Sequence, residues 1–544
     1  MNIRSIAALV SIALLGSCAP QLRFRDAPVV WYVDDARDIP APAKRSFAHI
    51  QYFTDILGFD RLQRALTLPD LEHARDVNAL DEVPNSTWFT NRIGVRTVTP
   101  EEAARGPMRD GPPQLPLQIK SSKTGGRNPG FLVEDASGRK FLIKFDREAN
   151  PGMQTGTNQI VNRLFWTIGY NVPQDSVVYF GRDDLTIAPG AELSPDVGKP
   201  RAMTRADLAE VLTEVPTRAD GTIRATASQF LDGKPLGGPP ARGTRKDDPN
   251  DTVPHEHRRV LRGLRVFAAW VSHTDMKEDN MLDMLVEEDG RKFVRHYMID
   301  FGEALGAHRA ETDRMEDGWE FVVDWEKNAM SLVALGLWIR PWEKEKVTPW
   351  KEVGAFESTV FDPERWREAY PFWPFFEMTP ADAYWAAKIV MRFDRPLLEA
   401  IVAEADFPDA PSAYLVETLL ERGRKIGRAY IESVTALDAF RFDHGRLCAH
   451  DMGIVYGLAS AGSVEELRGR RVVRTHRIAA DGEVCIPVPA EERYLALRLR
   501  VRRHDASRPV MQVHVATTGT PRVLGVVRSE KGPCVTGRGR PRCR

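Results

Sequence analysis

"HTDMKEDN", residues 273–280, is the stretch from which the rest of the chain is read. Asp275 and Asn280 stand on one short loop with Lys277 between them. The loop follows residues 257–272, where Leu261, Leu264, Phe267, Ala268 and Val271 recur at the spacing of an amphipathic helix. It precedes "MLDMLVEEDGRKFVRHYMIDFG" (281–302), two strand-like runs turning at Asp289-Gly290 and ending in Asp300-Phe301-Gly302. One loop thus offers a carboxylate, an ammonium and an amide, and the end of the next hairpin offers a second carboxylate. Such a set can orient a hydroxyl proton, hold a hard divalent cation and steady developing negative charge.

The sequence before the loop supplies the complementary parts. "GFLVEDASGRKFLIKFD" (130–146) predicts a hairpin turning at Ser137-Gly138, with Lys144 closing an apolar strand. A lysine on the inner face of a sheet needs an anion; at an edge it merely snorkels to water. Upstream, "KTGGRNPG" (123–130) places Gly125, Gly126 and Gly130 where backbone N–H groups can approach phosphate oxygens. Ile160, Leu164, Phe165 and Ile168 give a helix closed by Gly169 and Pro173. "DSVVYF" (175–180) and "IRATASQFL" (223–231) read as strands, and residues 305–437 as mainly helical. The tryptophans at 319, 325, 338, 342 and 350 read as core or groove wall. In "ALRLRVRR" (496–503) Leu497, Leu499 and Val501 alternate with arginines, as in a half-buried strand of a small β domain. His255 and His257 are two apart, the wrong interval for a shared metal on a helix, and read as a satisfied or exposed pair.

"HTDMKEDN" resembles the HRDLKPEN-type catalytic loop of protein kinases, matching at His273, Asp275, Lys277 and Asn280, and Asp300-Phe301-Gly302 stands where such kinases carry DFG. The resemblance spans roughly residues 118–435 and is closer to atypical families, HipA-like and secretory-pathway kinases, than to conventional ones. It implies an α+β, two-lobed kinase-like fold for that span, and the residues outside it read as an N-terminal cap region and a small C-terminal β domain. Together with the rest of the sequence, the resemblance divides the chain into a signal at 1–18, a tether at 19–45, a cap at 46–115, an N-lobe at 116–240, a helical C-lobe at 241–437 and a β domain at 438–544. It also implies ATP and Mg²⁺ as cofactors and a protein or small-molecule hydroxyl as acceptor. In its terms Asp275 is the base, with His273 and Lys277 beside it. Asn280 and Asp300 hold the metal, Lys144 holds the phosphates, and Gly125, Gly126 and Gly130 cradle them. "SQFLDGKPLG" (228–237) resembles the hinge that meets adenine, through Gln229 and Leu231. One part departs from the pattern: the helix after Lys144 carries Asn158 and Gln159 where kinases carry a glutamate, and Glu148 lies too far upstream. Lys144 is then expected to be held by an amide oxygen, more weakly. That departure keeps a second reading open, a pseudokinase-like binding module without turnover.

The ends of the chain speak to its surroundings. Arg4, the apolar run Ile6–Leu15 and "LLGSC" (14–18) have the layout of a secretory signal. The last residues resemble the lipobox of bacterial lipoproteins, implying lipidation at Cys18; a plainly cleaved signal is the alternative. Ala19 in place of aspartate implies the outer membrane, facing the periplasm. The other cysteines, Cys448, Cys485, Cys534 and Cys543, are even in number and confined to the last hundred residues. In an oxidising compartment they allow three disulfide connectivities, of which Cys448–Cys485 with Cys534–Cys543 is the simplest. Four free thiols and a cytosolic protein are the other possibility. A net charge of −1 gives no electrostatic reason to bind nucleic acid, so the membrane contact expected is through the N-terminal lipid alone.

Overall fold

A computed structural model describes Phe24, residues 27–529 apart from short stretches at 47–48, 67–71, 124–127, 195–198, 313, 336, 346, 490–492 and 505, and the paired residues 534–535 and 542–543. Cys18, Gly125 and Gly126 lie outside the described residues.

The protein is a mixed α/β structure built on a seven-stranded sheet. Its strands are β1 (Leu117–Ser122), β2 (Gly130–Glu134), β3 (Lys140–Phe145), β4 (Asp175–Phe180), β5 (Leu185–Leu193), β6 (Arg201–Ala202) and β7 (Ile223–Gln229). They run in the order β4-β7-β3-β2-β1-β5-β6, antiparallel except for β1 beside β5. The β2–β3 hairpin forms as its alternation predicts, with Glu134 opposite Lys140. Phe131, Phe141, Ile143, Phe145 and Ala225 bury one face of the sheet in a core of its own. Helix α1 (Met153–Ile168) lies on the other side, begins seven residues before Ile160, the first of the expected periodic run, and ends at Gly169. The glycine at 169 is needed there: its φ is 145°, and a Cβ would meet the Phe89 ring at 2.3 Å.

After β7 the chain forms a short strand, β8 (Lys234–Gly237), which joins the hairpin β9 (Met281–Glu288) and β10 (Arg291–Met298). Asp289 and Gly290 both take positive φ, 50° and 73°, the type I′ geometry that the Asp-Gly pair favours. The expected amphipathic helix at 257–272 differs in two ways. It is broken at Gly263 into Arg259–Arg262 and α2 (Leu264–Val271), and it is buried on almost every side. The glycine belongs at the break because a Cβ there would meet Trp385 at 2.8 Å. Arg259 is fully buried, donating to Asp382 at 2.9 Å and pairing with Asp81 at 2.8 Å. Buried charges survive only when paired in this way.

Helices α3 (Pro380–Val390), α4 (Arg395–Ala403) and α5 (Asp409–Ile426) pack with α1 and α2 into the largest core. Trp88, Phe89 and Ile93 from the region before the sheet belong to the same core. Residues 305–372 are less helical than expected, with only short helices among irregular segments. Residues 437–527 form two further antiparallel sheets. Cys448 stands opposite Cys485 on adjacent strands and is bonded to it. The backbone pairs Cys534 with Cys543 across a two-residue ladder. Residues 31–45, expected as tether, instead run along the body. Val33 N–H donates to the Asn85 carbonyl at 2.8 Å, Asp35 accepts from the Thr87 N–H and hydroxyl, and Arg45 N–H donates to the Leu236 carbonyl at 2.8 Å. Backbone pairing holds this segment, and its proline-rich, charged composition gave no sign of that.

Candidate functional site

The three segments singled out in the sequence converge between the large sheet and the helical core. Lys144, near the end of β3, stands opposite Gly130 on β2 and Thr226 on β7. Its ammonium donates to Asp300 Oδ1 at 2.7 Å, across 156 positions of chain. Burial works against the Lys144 charge, and the Asp300 carboxylate outweighs it, leaving the lysine above its ordinary value. Burial in the cleft likewise pushes Asp300 up, but the Lys144 ammonium overrides it and holds the carboxyl below the usual range. Asp300 sits at a φ of 61°, a left-handed conformation that aspartate and asparagine tolerate better than most residues. The pair is therefore a carboxylate and an ammonium, both charged.

The 273–280 loop, joined to the Asp300 segment by the Ile299 N–H donating to the Asn280 carbonyl at 3.1 Å, is closed by its own side chains. Asp275 Oδ1 accepts from Lys277 Nζ at 2.5 Å, and Asp275 Oδ2 accepts from Asn280 Nδ2 at 2.9 Å. Asn280 Nδ2 also donates to the Asp275 carbonyl, which fixes the turn. Burial raises the Asp275 carboxyl, with Lys277 pulling the other way. Lys277 lies 5.3 Å from the Tyr370 ring centroid. His273 is wholly buried and packs its ring near Phe165 and Phe301 at centroid distances of 6.4 and 6.0 Å. Burial lowers it to about 4, so the imidazole is neutral and acts as packing beneath the loop.

The missing helix acid has a different solution from the amide expected. Asn158 does not reach Lys144. Its Nδ2 donates to Asp175 Oδ2 at 2.8 Å, and its Oδ1 accepts from the Phe301 N–H at 3.2 Å. Asp175, at the start of β4, also accepts from Ser228 Oγ at 2.6 Å. Its carboxyl is raised by burial, against the pull of these donors and of Arg163 and Lys144. Lys144 is thus held by Asp300, and Asn158 ties the strand acid Asp175 to the backbone after Asp300. Glu148 is exposed.

Other residues at the site escaped the sequence reading. Glu303 shares a cavity with Lys144, Asp300, Lys123 and Gln154. His308 pairs with Glu303 Oε2 at 2.8 Å through Nδ1 and with Asp317 Oδ2 at 2.9 Å through Nε2. Burial opposes the charge on His308, and these two carboxylates raise it to about 10. The only sequence signal was an acid directly after Asp300-Phe301-Gly302.

Gly130 has a structural reason of its own. A Cβ there would lie 2.3 Å from the Ile143 carbonyl oxygen, so glycine lets β2 and β3 approach. The residues read as a hinge are bonded within the protein. Gln229 Nε2 donates to Asp110 at 3.0 Å, and the Gln229 and Phe230 N–H groups donate to the Gln174 and Lys140 carbonyls. Gln229 and Leu231 line a separate groove of about 550 Å³ with Arg105, Arg109 and Trp166.

Asp300, Glu303 and Asn280 are oxygen donors of the kind a hard cation such as Mg²⁺ takes, and Lys144 suits a phosphate. The residues therefore fit a metal–nucleotide in chemical type. The cavity among them is only about 50 Å³, against the roughly 300–1,000 Å³ of small-molecule pockets. Among the described residues, the one group of three potential metal ligands within 4.8 Å of one another is Cys448, Glu483 and Cys485, and the disulfide uses two of them.

No protein-family model and no curated protein matches the chain. Among solved structures, a Golgi casein kinase aligns with a TM-score of 0.31 and 10% identity, over 74% of this chain and 93% of that one.

Proposed function

We propose that the protein is an atypical kinase that transfers a phosphoryl group from ATP with Mg²⁺ to a hydroxyl acceptor, and that it works in the cell envelope on a lipid anchor at Cys18. The observation that carries this reading is the meeting of Lys144 with Asp300, whose neighbour Ile299 donates its N–H to the carbonyl of Asn280 in the Asp275–Lys277–Asn280 cluster. Asp275 is the group placed to accept the acceptor's proton, and burial moves its carboxyl upward, toward the range a base needs. Lys277 offsets negative charge beside it, and Asn280 and Asp300 are the oxygen donors for the cation. Lys144 is the phosphate partner once it leaves Asp300. The nucleotide supplies the phosphoryl group and the metal neutralises its oxygens; the chain supplies position and charge. The test is phosphate release or self-labelling from γ-labelled ATP with Mg²⁺, in the wild type and in Asp275→Asn. Transfer that falls at least about a hundredfold in the variant supports the reading. Acylation is checked separately, by palmitate labelling of the wild type against Cys18→Ser.

One observation favours a second reading, a binding module that has kept the same side chains without turnover. The cavity at Lys144 is about 50 Å³, and the hinge N–H groups of Gln229 and Phe230 are already bonded within the protein. Absence of transfer from wild-type protein, with a thermal response to some other ligand, selects that reading.

A further inference from the structure

Residues 325–339 expose more apolar surface than a soluble fold has reason to show. The helix Trp325–Val333 has no buried residue. Met330, Leu332, Val333, Leu335, Leu337 and Ile339 are 54–87% exposed. Exposed apolar side chains scattered singly are ordinary, whereas a contiguous run marks a contact surface. A second apolar face lies beside this one. Phe59, Leu62 and Leu66, three and four residues apart on the helical run 55–66, are 58–79% exposed. Arg61 of that run donates to the Val323 carbonyl, lies 3.7 Å from Asp324, and sits over the Phe321 ring. Arg61 therefore fixes the helical run 55–66 to residues 321–324, at the root of the 325–339 segment.

We infer that these faces form a membrane-contact surface that rests in the interfacial layer of a lipid bilayer. The rims favour lipid over a protein partner. Lys327 and Arg340 stand 5.5 and 5.6 Å from the Trp338 ring, with Lys344 and Lys351 further along the chain. Tryptophans and long basic side chains around an apolar strip are the pattern of interfacial segments, and lysine is depleted from protein–protein interfaces. Among the described residues no helix is long and apolar enough to cross a membrane, so the contact is peripheral. The inference rests on the envelope placement read from residues 14–18. With Cys18 lipidated, only residues 19–23 precede Phe24, whose ring packs 4.9 Å from that of His514. Five residues span at most roughly 18 Å, so the body stays close to the bilayer and one of its faces meets the headgroups. The exposed apolar face is the one that gains by doing so.

The experiment uses residues 19–544, which lack the lipid and so test the surface independently of Cys18. The probe is vesicles of phosphatidylethanolamine and phosphatidylglycerol, read by co-sedimentation and by quenching of tryptophan emission with brominated acyl chains. A combined Leu332→Ser, Leu335→Ser and Leu337→Ser variant removes three highly exposed side chains, so the fold is unaffected. Val473→Ser, half-exposed in the C-terminal β region, is the control. Wild type and control should partition onto vesicles, with the triple variant weaker by about tenfold or more. Equal binding by the triple variant, or no binding by wild type, overturns the inference. Lipid-free self-association that the triple variant abolishes also overturns it, because a second copy then covers the face.

Discussion

Asp300→Asn separates the role of Asp300 in holding the fold from its role in holding a ligand. The substitution removes the charge but keeps the side-chain shape and the tolerance for a φ of 61°. In the unliganded protein it breaks one ion pair, Lys144 to Asp300 at 2.7 Å, and 46% of the Asp300 side chain is exposed. A pair so open to solvent contributes about 0–1 kcal/mol, so the variant's melting temperature should fall by no more than a few degrees. The ligand effect is larger. ATP with Mg²⁺ at 100 times its Kd stabilises the native state by about 2.7 kcal/mol, roughly 5–10 °C for a domain of ordinary size. The assay is thermal unfolding of residues 19–544 with and without ATP and Mg²⁺. Wild type should shift upward and Asp300→Asn should not, although their unliganded midpoints nearly coincide. A full shift retained by the variant, or none in wild type, refutes the assignment of Asp300 as the metal-holding carboxylate.

Asn158→Ala should cost about 1–3 kcal/mol in urea denaturation, because a buried carboxylate and the Phe301 N–H each lose a partner; a loss under about 0.5 kcal/mol would show the link to be idle. His308 has a folded value of about 10 against an ordinary 6.5, so its contribution to stability is full below pH 6.5 and drains away as pH rises through 10. His308→Gln should flatten that alkaline decline, measured as the denaturation midpoint from pH 6 to 10. Reducing Cys448–Cys485, which closes a separation of 37 residues, should destabilise the C-terminal sheets by about 3–4 kcal/mol, seen as a lower denaturation midpoint with reductant than without.

The elements that sequence resolved well are those whose signal is local. The turn at Asp289-Gly290 follows from two residues that tolerate positive φ, and the β2–β3 hairpin from alternation over a few positions. Lys144, Asp275, Asn280 and Asp300 were singled out because each lies in a short segment of fixed spacing, and the structure brings Lys144 to Asp300 and Asp275 to Asn280. What escaped depends on contacts between distant parts. Asp175 looked like the polar start of a strand, and only the packing of α1 on β4 turns it toward Asn158. The break at Gly263 follows from Trp385, more than a hundred positions away, and periodicity within 257–272 carries no trace of it. Residues 31–45 are held by backbone hydrogen bonds, which composition does not encode. His308 is raised by two carboxylates that reach it from opposite sides in sequence, Glu303 and Asp317.

The site's charges are stored as pairs: Lys144 with Asp300 and Lys277 with Asp275. This arrangement explains how a strand lysine persists without the helix acid that usually holds it. For Lys277 and Asp275, both about 15% exposed, an unpartnered charge would carry a desolvation cost of several kcal/mol that each removes for the other, whereas the half-open Lys144–Asp300 pair gains only about 0–1 kcal/mol. Parting Lys144 from Asp300 exposes one cation and one anion together. A ligand that brings an anion and a cation of its own can repair both losses at once. A bare anion would leave Asp300 unpaired, and a bare cation would leave Lys144 unpaired. The small cavity and the metal–nucleotide reading are therefore compatible on physical grounds: the Lys144–Asp300 contact is one whose exchange a doubly charged partner makes nearly neutral.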